Sequence, residues 1–263
     1  MNVSLDKRTN LFLILAGIFI TNTIVAEIIG VKIFSGEATL GLAPANIHLF
    51  GEFVLDFNLT AGAVIWPVVF ITTDIINEYF GQPGVKKISI FTAILVVFVF
   101  FAIYVVTELP PAAFWIDVNS MDTEGNAFNI NYAFKTIFTQ GLGIIIGSLT
   151  AFLLGQLLDV FVFQKLRRVT GPKMIWLRAT GSTLVSQFID SFVVLVIAFY
   201  IWGNWSLRQV MAVGIINYIY KFSVAILLTP VIYLGHYLID LYLGEELSQQ
   251  MTEEAAQSSE GFI

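Results

Sequence analysis

The sequence predicts an all-α integral membrane protein with about six transmembrane helices in one bundle. Three observations predict it. Of its 263 residues, 57% are hydrophobic and only 12% are charged, against about 25% charged in soluble domains, and the mean hydropathy is +0.83. Several apolar runs approach or exceed the ~18 residues that mark a membrane span. The basic residues collect in alternate connections: Lys7 and Arg8, then Lys86 and Lys87, then Lys165, Arg167, Arg168, Lys173 and Arg178. The opposite loops are acidic, so the Lys/Arg bias places both termini in the cytoplasm. Length leaves room for one helical domain. Residues 1–10 read as a cytoplasmic N-terminus, 11–243 as a single transmembrane domain, and 244–263 as an acidic, disordered tail.

Span one covers about residues 11–32. Its apolar run is too long for a signal-peptide core, so it reads as a retained helix. Asn22 lies in mid-span and faces protein rather than lipid. Glu27 and Lys32 near the outer end have an interfacial, snorkelling reading beside an interior one. A connector follows over 33–58. Within it IHLFGEFVLDF forms two alternating runs about residues 50–52, which suits a short β-hairpin between helices 1 and 2. Span two, 59–80, contains Pro67 and ends at the GQPG of 81–84. Span three, 88–107, is apolar throughout and expected to face lipid. Span four, 134–163, is rich in glycine, with Gly141, Gly143, Gly147 and Gly155; Gly143 and Gly147 make a small-xxx-small pair that allows close helix approach. Span five, 179–201, carries a polar stripe of Ser182, Ser186, Gln187, Asp190 and Ser191, and the aromatic turn at 202–205 anchors its end. Span six, 207–234, carries Asn217 and Lys221 one turn apart, and Pro230 should kink or end it.

The stretch WPVVFITTDIINEYFG at 66–81 organises the rest. Its spacing sets Asp74, Asn77 and Glu78 on one helical face. A charge at mid-membrane costs at least about 2.5–3.5 kcal/mol, so that face must turn to a cavity, a partner helix or the water boundary. Other spans supply matching groups: the acids Asp159 and Asp190, the cation Lys221, and the amides Asn22, Gln156, Gln187 and Asn217. Such groups should converge on a common interior. Lys221 needs a counter-ion, Asp190 or Asp74. Gln156 and Asp159, near the basic boundary, read first as interhelical ties, with Arg167 or Arg168 the partner of Asp159. Asp190 with Gln187, and Asp74, read first as functional.

The composition excludes several classes. There are no cysteines, so thiol chemistry, disulfides and cysteine metal sites are out. The two histidines, His48 and His236, are too far apart in sequence to suggest a metal site, and no cofactor is expected. No basic patch points to nucleic acid, and no Walker motif points to ATP hydrolysis. The expected partners are the lipid bilayer and a small molecule; a homo-oligomer is compatible with the sequence. A carboxylate accepts two adjacent N–H donors in one plane, amides supply donor and acceptor together, and aromatic faces such as Trp66 stack on flat rings. The set suits a small, flat, nucleobase-like heterocycle. It suits an inorganic ion less well and a phosphate poorly, because the interior is net acidic.

Four ordered motifs, PVVFITTDIINEYFG at 67–81, LGQLLDVFVFQKLR at 154–167, STLVSQFIDSFVVLVIAF at 182–199 and NYIYKFSVAILLTP at 217–230, resemble the queuosine precursor transporter family, also known as the vitamin uptake transporter family. The residues carrying the resemblance are Thr72, Asp74, Asn77, Glu78, Gly81, Gln156, Asp159, Ser182, Asp190 and Lys221. The resemblance implies a six-helix protein of the cell inner membrane that imports the 7-cyano and 7-aminomethyl forms of 7-deazaguanine for tRNA modification. A deazaguanine edge offers N1–H and an exocyclic amine as adjacent donors, which Asp190 can accept with Gln187 beside it. Asn22, Asn77 or Asn217 can donate to the carbonyl, Asp74 and Glu78 lie on the facing helix, and Lys221 can hold Asp190 charged in the empty state. Thr72, Gln156, Asp159 and Ser182 read as structural or gating. A secondary carrier or facilitator is the first reading. A substrate-binding subunit that needs separate ATPase partners, and an intramembrane enzyme using paired acids, are the others. The sequence leaves proton coupling open.

Overall fold

The computed structural model describes residues 6–51, 53–138, 142–170 and 174–258. Met1 to Leu5, Glu52, Gly141, Lys173 and the last five positions, 259–263, lie outside the described residues.

Helix α1 (Lys7–Ile29) starts where the Asp6 carboxylate accepts the backbone N–H of Thr9 at 2.7 Å, a standard N-cap. Leu11, Leu15, Phe19 and Ala26 bury one face, while Leu13, Ile14, Ile18 and Val25 point outward. An exposed apolar face is at ease in hydrocarbon. The connector then makes two antiparallel pairs around the short helix α2 (Gly36–Thr39). Strand β1 (Ile33–Ser35) pairs with β4 (Asn58–Thr60), and β2 (Ile47–Leu49) pairs with β3 (Phe53–Leu55) with Ile47 opposite Leu55. The β2–β3 pair is the hairpin expected from the alternating pattern. Glu37 on α2 ties the connector together by accepting the Phe57 backbone N–H at 2.7 Å.

Span two departs from expectation. Leu59 and Thr60 belong to β4, Ala61–Val64 is a 3₁₀ turn, and helix α3 (Trp66–Thr107) begins only at Trp66. Pro67 therefore lies in the first turn rather than inside the helix, where its missing N–H has no partner to lose. Of the GQPG at 81–84 only Gly81 breaks the helix, with φ 66° and ψ −173°; Pro83 falls in the first turn of the second arm. Trp66 in the first arm and Phe100 in the second line the same cavity, so the chain doubles back at Gly81. The second arm turns Phe91, Ile94, Phe98 and Phe101 outward, as a lipid-facing helix should.

Two short helices, α4 (Ala113–Val118) and α5 (Ile130–Phe138), carry the acidic loop. Helices α6 (Leu142–Thr170) and α7 (Ile175–Leu195) pack antiparallel, and α7 runs on into a π-helical turn, Val196–Ile201. A Cβ at Gly147 would lie 3.2 Å from the Val194 carbonyl, so this member of the small-residue pair does allow close approach. Helix α8 (Leu207–Leu227) is followed directly by α9 (Thr229–Leu243), with Pro230 in the first turn of α9; the break foreseen at Pro230 comes two residues before it. Among the described residues five helical stretches are long and apolar enough to cross a membrane: Lys7–Ile29, Trp66–Thr107, Ile146–Thr170, Trp176–Ile201 and Leu207–Leu227. The second of these comprises two arms. The chain is a multi-pass, mostly helical membrane protein.

The largest correction is the tail. Glu245–Ser258 forms helix α10, not a disordered segment, and it packs over the end of the bundle where the basic residues gather. Leu247, Met251 and Ala255 recur every fourth residue and give it one apolar face; Met251 and Ala255 are buried. Glu245 and Glu246 sit in its first turn, where the helix dipole favours acids. Ser248 donates to Asp240 Oδ1 at 2.5 Å, Tyr79 donates to the same oxygen at 2.7 Å, Arg167 Nη2 donates to the Thr252 carbonyl at 2.5 Å, and Arg8 pairs with Glu254.

Beneath α10 lies a buried ion pair. Arg178 Nη2 of α7 is 2.6 Å from Glu78 Oε1 of α3, with Arg167 Nη2 of α6 at 3.7 Å from the same oxygen. Gln164 Nε2 donates to Asn77 Oδ1 at 2.6 Å one step away. Three helices are thus joined at one end through the polar face of α3.

Two outcomes follow. Gly81→Ala places a Cβ 2.7 Å from the Ala255 carbonyl at a positive φ, so it should cost about 1–3 kcal/mol and loosen α10; thermal unfolding in detergent and limited proteolysis of the tail measure both. Glu78→Gln leaves a buried guanidinium without its carboxylate and should cost about 3–5 kcal/mol, part of which Glu78→Gln with Arg178→Met restores; equal stability of the single variant and wild type would refute this role.

Candidate functional site

A cavity of about 440 Å³ opens between α1, α3, α6, α7 and α8, within the ~300–1,000 Å³ typical of small-ligand sites. The connector lies across one end of it, through Val54, Leu55, Leu59 and Thr60. Most of its wall is apolar, with a few polar side chains placed at defined points.

The central polar feature is the ion pair between Lys221 of α8 and Asp190 of α7. Their side chains retain 21% and 23% exposure, so the pair is reachable from the cavity rather than sealed in the core. Asn217 lies one turn before Lys221 on the same wall. The first arm of α3 presents Trp66, Phe70 and Asp74 to the same cavity. Trp66 and Phe70 stack at 5.8 Å with an 18° interplanar angle. Tyr220 and Trp205 add further aromatic wall, and Trp205 is itself stacked on Phe199 at 4.4 Å.

Two buried atoms on the wall have no hydrogen-bond partner among the described residues: Asp74 Oδ1 and Ser191 Oγ. Asp74 is only 2% exposed and has the carboxylates of Asp159 and Glu78 as electrostatic neighbours. An unpaired buried acceptor costs about 1–3 kcal/mol, so both atoms gain from a ligand or water in the cavity.

The expected polar set divides. Asp190, Lys221, Asp74, Asn217 and Trp66 line the cavity. Gln187, Gln156 and Asp159 line a recess of about 20 Å³ behind Trp66, Phe70 and Asp190, large enough for about one water molecule; Gln187 Oε1 has no partner there among the described residues. Asn77 and Glu78 turn away to Gln164 and Arg178. The three-residue and four-residue steps of the helix put them toward Asp74 on one stripe, but the buried cation on α7 and the amide on α6 draw the lower part of that stripe into the end of the bundle. Asn22 is spent on its own helix, donating to the Ile18 carbonyl at 2.8 Å. Thr72 and Ser182 likewise donate to Val68 and Ala179 carbonyls, at 2.6 Å and 3.1 Å. The counter-ion expected for Asp159 is replaced by a hydroxyl, Ser186 Oγ at 3.1 Å, because Arg167 is engaged at Glu78 and Thr252.

Sequence reasoning left two residues, Arg178 and Tyr220, out of the interior and left a third, Glu27, undecided. Arg178 looked like one more base in a basic segment, yet it is 1% exposed. Glu27 carried an interfacial reading beside an interior one, and it lines the cavity and accepts the Ser148 hydroxyl. Tyr220 carried no signal beyond its place one residue before Lys221. A carboxylate inside an otherwise apolar span was the available sign for Glu27.

The comparisons extend this geometry. A family model described as "Putative vitamin uptake transporter" matches residues 60–235. A protein named "Probable queuosine precursor transporter" from Bacillus subtilis (strain 168) is 30% identical over 207 residues, covering 78% of this chain and 82% of that protein. One of the same name from Haemophilus influenzae is 29% identical over 177 residues, 66% of each chain. The "Queuosine precursor transporter" of Escherichia coli (strain K12) is 28% identical over 176 residues, 66% of this chain and 70% of its own. No solved structure matches the chain. The matched region takes in both arms of α3, the ion-pair wall of α7 and α8, and the aromatic panel between them; the chain belongs to the vitamin uptake transporter family.

Proposed function

We propose that this protein imports queuosine precursors, the 7-cyano and 7-aminomethyl forms of 7-deazaguanine, across the cell inner membrane for tRNA modification, as a self-sufficient secondary carrier or facilitator and not as an enzyme. Its relatives bear transporter names. The observation that carries the substrate class is the cavity itself: an accessible carboxylate with its own cation, Asp190 with Lys221, facing the stacked rings of Trp66 and Phe70. Asp190 accepts N1–H and the exocyclic amine of the base in one plane. Trp66 and Phe70 cover its face. Asn217 donates to the carbonyl. Lys221 keeps Asp190 ionised while the site is empty, which avoids an unpaired charge in the interior. Asp74, with its free oxygen at the cavity floor, is a further acceptor. Gln187 supports Asp190 from the recess, and Asn77 and Glu78 serve the closed end of the bundle instead of the base. The basic end of the bundle faces the cytoplasm by the Lys/Arg bias, so the connector faces the outer side.

Purified protein in sealed liposomes without an ATPase should take up either labelled precursor saturably. Tight binding without uptake would instead favour a subunit that needs partners. Asp190→Asn replaces one acceptor by a donor against the N–H edge and should lower uptake at least about tenfold, with the folded protein retained in detergent; unchanged uptake by that variant would remove Asp190 from the site.

A further inference from the structure

Glu27 stands apart from the other cavity acids. Its carboxylate oxygens lie 2.8 Å and 2.7 Å from one hydroxyl, Ser148 Oγ of α6. Ser148 has one proton to give, while an ionised carboxylate has about four acceptor sites. No described residue forms an ion pair with Glu27, whereas Asp190 has Lys221 and Glu78 has Arg178. Glu27 therefore faces the cavity with most of its hydrogen-bonding capacity unanswered and no resident cation among the described residues.

The surroundings make that carboxyl group matter. The ionisable cavity-lining side chains are Glu27, Asp56, Asp74, Asp190 and Lys221, four acids against one base. Lys221 is already held by Asp190. A ligand that brings an ammonium to the Glu27 side of the cavity meets a carboxyl group with no resident cation in a largely apolar setting, where the attraction within the ion pair they form is screened less than in water.

Position completes the argument. Glu27 meets α6 at Ser148, while Asp190 approaches it at Gly155, where a Cβ would lie 3.8 Å from the Asp190 Cβ. About two helical turns separate these levels, about 10 Å at 1.5 Å per residue. A two-ring base that offers its N–H edge to Asp190 and carries a one-carbon arm on its far ring reaches toward the Glu27 level with the tip of that arm.

We infer that Glu27 is the subsite for a cationic arm on the substrate, selecting a flat base with a primary ammonium over its neutral counterpart. The inference rests on the transport reading above and deepens it: of the two precursors, the aminomethyl compound carries the ammonium and the cyano compound does not. Glu27 belongs to α1, outside residues 60–235 matched by the family model.

The test is equilibrium binding of 7-aminomethyl-7-deazaguanine and 7-cyano-7-deazaguanine to the full chain in detergent, with wild type and Glu27→Gln. The ratio of the two affinities should fall about tenfold or more in the variant. A ratio unmoved within about twofold overturns the inference while leaving the transport reading in place. A wild-type chain that binds neither compound overturns the transport reading and this inference with it. A second measurement needs no variant: 7-hydroxymethyl-7-deazaguanine, nearly isosteric and neutral, should bind wild type about tenfold more weakly than the aminomethyl compound, and equal affinities would overturn the inference even where Glu27→Gln fails to fold.

Discussion

The buried ion pair of Glu78 with Arg178 is the interaction on which the rest of this structure depends. Neither group can be left alone in the interior, since removing one partner of such a pair costs about 3–5 kcal/mol. Once Glu78 is committed to Arg178, the first arm of α3 is fixed in rotation against α7, and Arg167 adds α6 to the same junction. That rotation decides what the neighbouring turns of α3 see. Asn77 meets Gln164, and Asp74, one turn further along the arm, is carried to the cavity floor.

The end of the bundle follows from the same commitment. A glycine in a backbone region closed to other residues lets α3 double back immediately after Glu78. The tight turn leaves a surface of mixed character: carbonyls, the outer faces of Arg167 and Tyr79, and an apolar patch around Met251. Helix α10 satisfies each part in turn, with Thr252 toward Arg167, Ser248 beside Tyr79 on Asp240, and Met251 against the core. The tail is ordered because the bundle end offers both partners and apolar area. Neither its composition nor its length supplies that reason.

The interior polar residues consequently serve two layers. One layer closes the bundle at its basic end with buried groups tied to one another by the Glu78–Arg178 ion pair and the Gln164–Asn77 hydrogen bond. The other surrounds an accessible cavity, in which Asp190 and Lys221 are paired yet reachable and Asp74, Ser191 and Glu27 retain acceptor or donor capacity. The layers differ in access: the first is shut away in the bundle end, and the second is open to the cavity. Groups that are all satisfied internally hold a fold together but bind nothing, and groups that are all unsatisfied do not stay buried.

Much of this was readable in the chain before any coordinates. Hydropathy located the long helices, alternation located the β2–β3 hairpin, Pro230 marked a break, and the cost of buried charge nominated Asp190, Lys221 and Asp74 and named Asp190 as a counter-ion candidate. These are local or pairwise consequences of composition and spacing. Tertiary structure alone decided the rest. It chose Arg178 from among five basic residues as the partner of Glu78, gave Ser186 to Asp159, decided for Glu27 between interface and cavity, and made residues 245–258 a docked helix. In each case the physical reason is the same: a side chain's role within a membrane is set by which groups from distant parts of the sequence arrive beside it, and sequence spacing describes only the element on which that side chain sits.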